Sequence, residues 1–147
     1  MRNTGCFAEG WIVRGPMNNL GQFHRMLLQG GTHQGIQIPQ PETVRNLTTR
    51  NRMGRVDFTF RHIMDWGLGC IINSSRYGMD TVPYGFGDYA SEDTFGHAGS
   101  ESSMAFADPR HDWVVCWVCN GRPGIPLHHA RNRAINNAIY EDLKLTA

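Results

Sequence analysis

The sequence predicts an α+β fold in which helices come first, antiparallel strands follow, and a last helix packs on the sheet. Three observations lead to this class. Apolar residues recur at helical spacing over 18–29, they alternate with other residues from Val56 onward, and helical spacing returns over 125–145. The sequence shows no internal repeat, so we expect one domain or a large part of one.

The first helix is predicted from the run NNLGQFHRMLLQGG, which begins at Asn18. Its apolar positions follow the period of a helix: Leu20, Phe23, Met26 and Leu27. The pair Gly30-Gly31 supplies the stop signal. We therefore expect an amphipathic helix that ends just before these glycines.

A second, short helix is predicted from IPQPETVRNLTT, with Pro41 near its first turn and Val44 and Leu47 on one face. Residues 49–55 are polar and basic, which indicates a connection on the surface. We divide the chain at this point. Residues 1–55 form the mainly helical part, and residues 56–147 hold the strands and the last helix.

Strand patterns begin after this connection. Val56, Phe58 and Phe60 alternate with other residues, and WGLGCII over 66–72 is a compact apolar run. Both patterns are typical of strands. The stretch 73–93 is rich in Gly, Ser and Tyr, which predicts a long loop.

Two strands and a helix are predicted for the rest of the chain. In SSMAFA, Met104 and Phe106 alternate with small residues before a turn at Asp108-Pro109. The run DWVVCWVCNG is apolar at odd and even positions alike, which predicts a central strand covered on both faces. The segment IPLHHARNRAINNAIYEDLKL predicts a helix. Its expected buried stripe is Leu127, Ala130, Ala134, Ala138 and Leu143, with Ile135 and Ile139 beside it.

Composition excludes two classes of partner. The chain has 147 residues and a formal charge of +1 without a basic run, which argues against nucleic acid. No apolar run approaches the ~20 residues of a membrane span, and the N-terminus lacks the apolar stretch of a secretory signal. The four cysteines are too scattered for a disulfide framework: Cys6, Cys70, Cys116 and Cys119. The compartment stays open, with a reducing, cytoplasmic one favoured.

A zinc site is the first alternative for the cysteines and histidines. Cys116 and Cys119 have the spacing of a zinc knuckle, and His128-His129 follow them. Residues three apart on a strand point to opposite faces, and adjacent helical positions diverge by about 100°. We therefore expect two buried structural cysteines, and neither a metal nor another cofactor.

Acidic and aromatic residues give two weaker candidates. A loose acidic loop precedes His97, formed by Asp80, Asp88, Glu92 and Asp93. Paired carboxylates can perform acid–base chemistry, but a solvated loop is the favoured interpretation. Three tryptophans lie in strand-like runs and are expected in the core: Trp66, Trp113 and Trp117.

His97 is the strongest candidate for a functional residue. It lies between Gly96 and Gly99, where a strand pattern begins. Flanking glycines allow the backbone to approach a ligand closely. On the residues alone, a metal site, a catalytic strand edge and a plain turn all fit this pattern.

The run FGHAGSESSMAFADPRHDWVVCWVCNG resembles the third motif and last two strands of the serine beta-lactamase and penicillin-recognising family. The resemblance is to its class C-like beta-lactamases, esterases and D-amino-acid peptidases. Upstream, MNNLGQFHRMLLQGGTHQGIQIPQPETVRNLTT and DWGLGCII are similar to the family's helix, Gly-Gly and "wGLGf" segments. The similarity runs in order from about residue 10 to 145, and implies the C-terminal part of a beta-lactamase/transpeptidase-like fold.

The resemblance implies a site at the start of this run. His97-Ala98-Gly99 stands at the family's Lys/His-x-Gly motif, which makes His97 catalytic and places Ala98 and Gly99 at substrate-binding positions. Ser100 would give its backbone N–H to an oxyanion hole. The imidazole would hydrogen-bond a substrate carboxylate or take part in a proton relay. Histidine in place of lysine favours esterase or peptidase chemistry over penicillinase activity.

The sequence departs from the family at the nucleophile. The family takes its nucleophile and base from Ser-x-x-Lys, but the only lysine here is Lys144 and residue 141 is Glu. Tyr89-Ala-Ser91 has the letters of the second motif, yet it lies on the loop just before His97. We therefore expect the C-terminal part of a longer enzyme or a trimmed relative, with a sheet edge left unpaired.

Two functions remain from these observations. The first is the C-terminal portion of a serine hydrolase that cleaves a small ester or amide through an acyl-enzyme, with a missing N-terminal segment supplying the nucleophile. On this hypothesis the chain alone is inactive. The second is a non-catalytic binding or interaction domain that keeps the fold without the chemistry.

Overall fold

The two predicted helices come first in the structure. The computed structural model describes residues 16–99 and 101–146. Helix α1 spans Met17–Leu28 and α2 spans Pro41–Thr48, with proline in the first turn of α2 as predicted. A small hairpin that the sequence did not indicate lies between them, formed by β1 (Thr32–His33) and β2 (Ile36–Gln37).

Within the described residues the main sheet has six strands in sequence order, and each strand pairs antiparallel with the next one along the chain. This confirms the α+β class. The strands are β3 (Arg52–Asp57), β4 (His62–Trp66), β5 (Ile71–Ile72), β6 (Phe95–Gly99), β7 (Ser103–Asp108) and β8 (Trp113–Val118). The predicted loop over 73–93 is confirmed, apart from a short 3-10 helix at Ser75–Tyr77.

The prediction of a strand through Phe58 and Phe60 is wrong, and so is the surface connection over 49–55. Strand β3 begins at Arg52 and ends at Asp57. The Asp57 carboxylate then accepts the backbone N–H groups of Thr59 and Phe60 at 2.9 and 3.1 Å. This side-chain-to-backbone turn reverses the chain before the alternation can continue.

The run WGLGCII also crosses a turn instead of forming one strand. Trp66 ends β4 and pairs with Ile71 of β5. Gly67 donates its N–H to the Cys70 carbonyl at 2.9 Å, which closes the hairpin. A side chain at Gly67 would overlap the backbone carbonyl of Leu47 at the end of α2, so only glycine fits there.

Strands β7 and β8 lie where the sequence predicts them. The expectation that β8 is central is wrong within residues 16–99 and 101–146, because β8 forms one edge of the sheet there. Both of its faces are covered, as predicted. Cys116 faces α1 near Gly21, and Trp117 donates its indole N–H to Asn136 of the last helix.

The last helix, α3, spans Ile125–Asp142, but its predicted buried stripe is wrong. The alanines and leucines of that stripe are exposed: Leu127, Ala130, Ala134, Ala138 and Leu143. The helix buries a different row, His128, Asn132, Asn136 and Tyr140. Asn132, Asn136 and Tyr140 hydrogen-bond to groups of the sheet or the 73–93 loop, which hydrophobic periodicity does not register. The His128 ring packs against Tyr84 and Trp117.

Two hydrophobic cores lie on the two faces of the sheet. The first core joins the sheet to α1 and α2 through Met26, Leu27, Val44, Cys70, Ile72, Phe95 and Ala107. The second core lies under α3 and contains Met64, Ile71, Phe86, Met104, Phe106, Val115 and Tyr140. Trp66, Trp113 and Trp117 were predicted in the core, but they are half-buried and pack against the margin of the second core. No helix in the described part of the chain is both long and apolar enough to cross a membrane.

Candidate active site at the His97 strand

His97 occupies the middle of β6, where it pairs with Ala105 of β7. Gly96 precedes it for a packing reason. A Cβ at Gly96 would overlap the Ala105 carbonyl and the Phe106 backbone, so glycine lets β6 lie close against β7. The first glycine of the motif is therefore explained by the sheet itself.

The imidazole of His97 has one nitrogen committed to the backbone. Its Nδ1 lies 2.6 Å from the carbonyl oxygen of Ala98, so the neutral ring carries its proton on Nδ1 and donates it there. Nε2 is left as the acceptor. The ring is half-buried, and its centroid lies 5.8 Å from that of Trp66.

The other motif residues fall on different sides of the strand. The Ala98 methyl packs against the second core, so only its backbone is left to meet a substrate. Gly99 ends β6 opposite Ser103, and its carbonyl accepts the Ser102 N–H at 2.9 Å. Ser100 lies outside the described residues. His97 thus lies in the middle of β6, and Gly99 lies two residues further on at the end of the strand, where a side chain would overlap the Ser103 hydroxyl.

A pocket of about 360 Å³ opens beside His97. Its lining comes from β3, from β4 with the turns at their ends, and from β6: Arg52, Asp57, Thr59, Phe60, Trp66, Gly69 and His97. Of these lining residues, only His97 was predicted from the sequence to belong to a functional site. No spacing rule links residues 52–60 to residue 97, because the pairing of β3 with β4 and of β5 with β6 joins them only in the fold.

The pocket has one aromatic and one charged wall. The rings of Phe60 and Trp66 are stacked, with centroids 6.0 Å apart and planes at 25°. The Arg52 guanidinium donates to Asp57 Oδ2 at 3.0 Å and to the Val56 carbonyl at 2.9 Å. Burial by itself raises the pKa of Asp57, but hydrogen bonds from Phe60, Arg52 and Thr59 outweigh it and hold the pKa below its usual value.

A second histidine lies behind His97, on α1. His24 is 5% exposed and places its Nδ1 3.0 Å from the Leu20 carbonyl. Burial lowers the pKa of His24, and the neighbouring charge of His97 lowers it further. His24 is therefore neutral at pH 7, and it adds no positive charge beneath the candidate site.

A buried carboxylate that the sequence did not reveal fixes the strands around the pocket. Asp65 on β4 is fully buried and binds the guanidinium groups of Arg50 and Arg76. It also accepts the Tyr77 hydroxyl at 3.0 Å and the Gly54 N–H at 3.1 Å. Burial raises the pKa of Asp65, but these partners together hold it below its usual value. The network ties β3 and β4 to the 73–93 loop.

The candidate metal ligands do not converge. Cys116 lies in β8 and Cys119 just beyond its end, while Cys6 falls outside the described residues. Burial raises the pKa of Cys116 to about 11. His128 and His129 both contact the Tyr84 ring, with centroids 5.4 and 5.0 Å away. Within residues 16–99 and 101–146, no group of three or more metal-binding side chains forms.

The acidic loop makes structural ion pairs instead of a carboxylate pair. Asp80 and Asp88 both bind Arg133 of α3. Asp93 binds Arg50 at 3.0 Å, and the same arginine donates to the backbone carbonyl of Glu92. The loop thereby holds α3 and the Asp65 network in place.

Ser91, which ends the Tyr89-Ala-Ser91 triplet, also has a structural role. Its hydroxyl donates to the buried carboxylate of Asp108 at 2.5 Å, and its backbone N–H reaches the same carboxylate at 3.1 Å. Asp108 comes from the Asp108-Pro109 turn of the sequence. The triplet therefore fastens the end of the loop to β7.

Comparison with known proteins places this architecture in a family. A beta-lactamase family model matches residues 13–139. A D-alanyl-D-alanine carboxypeptidase of Escherichia coli is 31% identical over 101 residues, which are 69% of this chain and 20% of that protein. The family match over residues 13–139 and the α+β fold thus define a beta-lactamase-type domain. The chain belongs to the beta-lactamase family.

Solved structures show the same fold. A penicillin-binding protein homologue from Caulobacter crescentus superposes with a TM-score of 0.63 at 25% identity, over 83% of this chain and 30% of that one. A beta-lactamase from Mycobacterium bovis gives a TM-score of 0.59 at 23% identity, over 85% of this chain and 42% of that one. The 147 residues therefore span a fifth of the carboxypeptidase and less than half of each structure.

Proposed function

We propose that this chain supplies the His-x-Gly strand of a serine hydrolase that cleaves esters or amides through an acyl-enzyme. The observation that carries the proposal is the position of His97. Its ring lines a pocket between β6 and the β3–β4 hairpin, and Gly99 lies two residues further along the same strand. A substrate carbonyl bound beside β6 would meet the imidazole of His97.

Each residue of the motif has a distinct part in this proposal. His97 Nε2 accepts a proton from the substrate or from a relay, because Nδ1 is committed to Ala98. Gly99 keeps the approach open, and the Ser100 amide donates to the developing oxyanion. The nucleophile comes from a Ser-x-x-Lys segment outside these 147 residues, since Glu141 stands three positions before Lys144.

The absence of Ser-x-x-Lys from these 147 residues also favours a second function. The alternative to the hydrolase is a binding or interaction domain that keeps the fold and the pocket but has lost the chemistry. The coding sequence immediately upstream separates the two. Ser-x-x-Lys in the same reading frame supports the hydrolase, and its absence supports the binding domain.

The proposal is tested first on the chain by itself. We expect no acyl-enzyme when the 147-residue protein is incubated with a fluorescent penicillin or a fluorophosphonate and measured by intact mass. A stoichiometric adduct on any serine would contradict the assignment of the nucleophile to another segment.

The catalytic role of His97 is tested in the longer protein that carries the upstream motif. We expect His97→Ala to lower kcat/KM for a p-nitrophenyl ester by about 10²- to 10³-fold, while the Tm changes little. Gly99→Val should also lower kcat/KM, but its side chain would overlap the Ser103 hydroxyl, so we expect the Tm of this variant to fall as well. His33→Ala, in the β1–β2 hairpin, is the matched control. Unchanged kcat/KM for His97→Ala would refute the catalytic role.

A further inference from the structure

The pocket beside His97 combines features that select one kind of substrate group. We infer that it is a subsite for a neutral aromatic group, such as the aryl acyl or aryl alcohol part of an ester or amide. The assignment of this group to a substrate rests on the proposed function. Three properties of the pocket support the inference: its aromatic wall, its balanced charges and its volume.

The aromatic wall is already ordered before a ligand arrives. Phe60 stacks on Trp66 on one side and meets Tyr84 edge-on at 5.3 Å on the other. Trp66 in turn lies against His97. An aromatic ring that enters the pocket can stack or pack edge-on against these rings, and it arrives next to the imidazole that borders the strand end.

The charged wall carries no net charge. Arg52 is the cation that faces the pocket, and its guanidinium is paired with the Asp57 carboxylate at 3.0 Å. Asp57 is held ionised by the N–H groups of Thr59 and Phe60 as well. A ligand carboxylate would have to compete with Asp57 for Arg52, whereas a neutral ring leaves the pair undisturbed.

The size of the pocket suits one ring with a short linker. A volume of about 360 Å³ lies near the lower end of the range of ligand-binding pockets. It exceeds the cavity of about 150 Å³ that holds a benzene molecule in an engineered protein. A single aryl group and the carbonyl attached to it therefore fill the space up to His97.

Asp57 links the two walls, which makes it the residue to change. Its Oδ2 neutralises Arg52, and its Oδ1 fixes the turn that positions Phe60. Asp57→Asn keeps an oxygen that can accept the turn hydrogen bonds but removes the negative charge. This variant should leave the aromatic wall in place and uncover the charge of Arg52.

The test uses the 147-residue protein and two ligands of the same size, phenylacetamide and phenylacetate. Binding is followed by NMR at the indole N–H of Trp66 and the amide of Phe60, with the Trp113 indole as an internal control. We expect saturable shifts for phenylacetamide and binding of phenylacetate weaker by about fivefold or more. Asp57→Asn should reverse this preference, and Phe60→Leu should weaken both ligands.

Two results would overturn the inference: no saturable shift at Trp66 with phenylacetamide, or equal binding of the two ligands by the unaltered protein. Both are measured without any substitution, so misfolding of a variant cannot decide the outcome. Because no hydrolysis is required, the result is independent of the nucleophile. If the 147-residue protein binds phenylacetamide but the longer protein hydrolyses no ester, the proposed function is refuted and the aryl-binding pocket stands. If the longer protein hydrolyses esters but the 147-residue protein does not bind phenylacetamide, only the subsite is refuted.

Discussion

Tyr140 on α3 donates its hydroxyl hydrogen to Asp108 Oδ2 at 2.6 Å, and neither side chain is exposed to solvent. Asp108 also accepts Ser91 and the Arg110 N–H. One carboxylate thus joins the last helix, the end of β7 and the end of the 73–93 loop. Burial raises the pKa of Tyr140 well above its ordinary 10.0, and the charge of Asp108 raises it further.

Tyr140→Phe is expected to lower the free energy of unfolding by about 1–3 kcal/mol at pH 7, because Asp108 loses a buried partner. Above pH 10 the unfolded state of the natural protein releases the tyrosine proton while the folded state keeps it. The natural protein should therefore lose stability faster with rising pH than the variant does. Urea unfolding at pH 7, 9 and 11 measures both effects, and parallel pH profiles would contradict the buried hydrogen bond.

Asp65→Asn should destabilise the protein by about 3 kcal/mol, because it leaves two arginines without their buried counter-charge. Asp93→Asn is the matched control. Asp93 pairs with the same Arg50, but its side chain is 79% exposed, and exposed pairs contribute about 1 kcal/mol or less. Chemical denaturation of the two variants compares them directly. Equal losses would mean that the Asp65 network does not hold β3 and β4 to the 73–93 loop.

His128 is expected to make the protein acid-sensitive. Burial holds its pKa below the ordinary 6.5, and the charges of Arg131 and His129 lower it further. Below about pH 6.5 the His128 imidazole is protonated in the unfolded chain but stays neutral in the folded chain. The free energy of unfolding therefore falls as the pH falls below about 6.5. One such histidine lowers the free energy of unfolding by up to about 1.4 kcal/mol for each pH unit.

The contribution of His128 is isolated by His128→Phe, which keeps an aromatic ring between Tyr84 and Trp117. The free energy of unfolding of this variant should change less between pH 7 and 5 than that of the natural protein. His24 and His129 titrate in both proteins, so the difference belongs to His128. An identical slope would show that His128 takes up its proton equally in the folded and unfolded states.

Cys70 and Cys116 should react slowly with iodoacetamide at pH 8. Burial raises both pKa values from 9.0 to about 11, which reduces the thiolate about 100-fold. Peptide mapping after short pulses should show little modification of either residue until the protein is denatured.

Cys116 and Cys119 are expected to bind no zinc, and zinc analysis of the purified protein checks this prediction and the strand assignment behind it. One zinc per chain, lost when Cys116 and Cys119 are changed to serine, would refute it.

Periodicity predicted those elements whose buried side chains are apolar. Helix α1, helix α2 and strand β7 follow their patterns, although Phe23 of α1 is 49% exposed. Helix α3 does not, because its buried row is polar and the partners of Asn132, Asn136 and Tyr140 lie in the sheet or the 73–93 loop. Asn132 donates to the Gly85 carbonyl, and Asn136 accepts the indole N–H of Trp117. A sequence pattern contains no information on such partners.

The candidate site was predictable only in part, for a related reason. His97 is marked by its glycines and by the family resemblance. Its neighbours Arg52, Phe60 and Trp66 come from the β3–β4 hairpin, whose turn is set by the Asp57 carboxylate. A one-residue difference in where that turn falls would place other side chains beside His97.

The order of the sheet also bears on how the chain folds. Each strand of the sheet pairs with a neighbour in sequence, so most pairings close short loops. The longest of these loops is residues 73–94, between β5 and β6. Helix α1 lies against β8, and its Arg25 reaches Asp112 across 87 positions. Closing a loop of that length costs more chain entropy than any pairing between neighbouring strands. We expect the meander to assemble first and the N-terminal helix to dock onto a sheet that already exists.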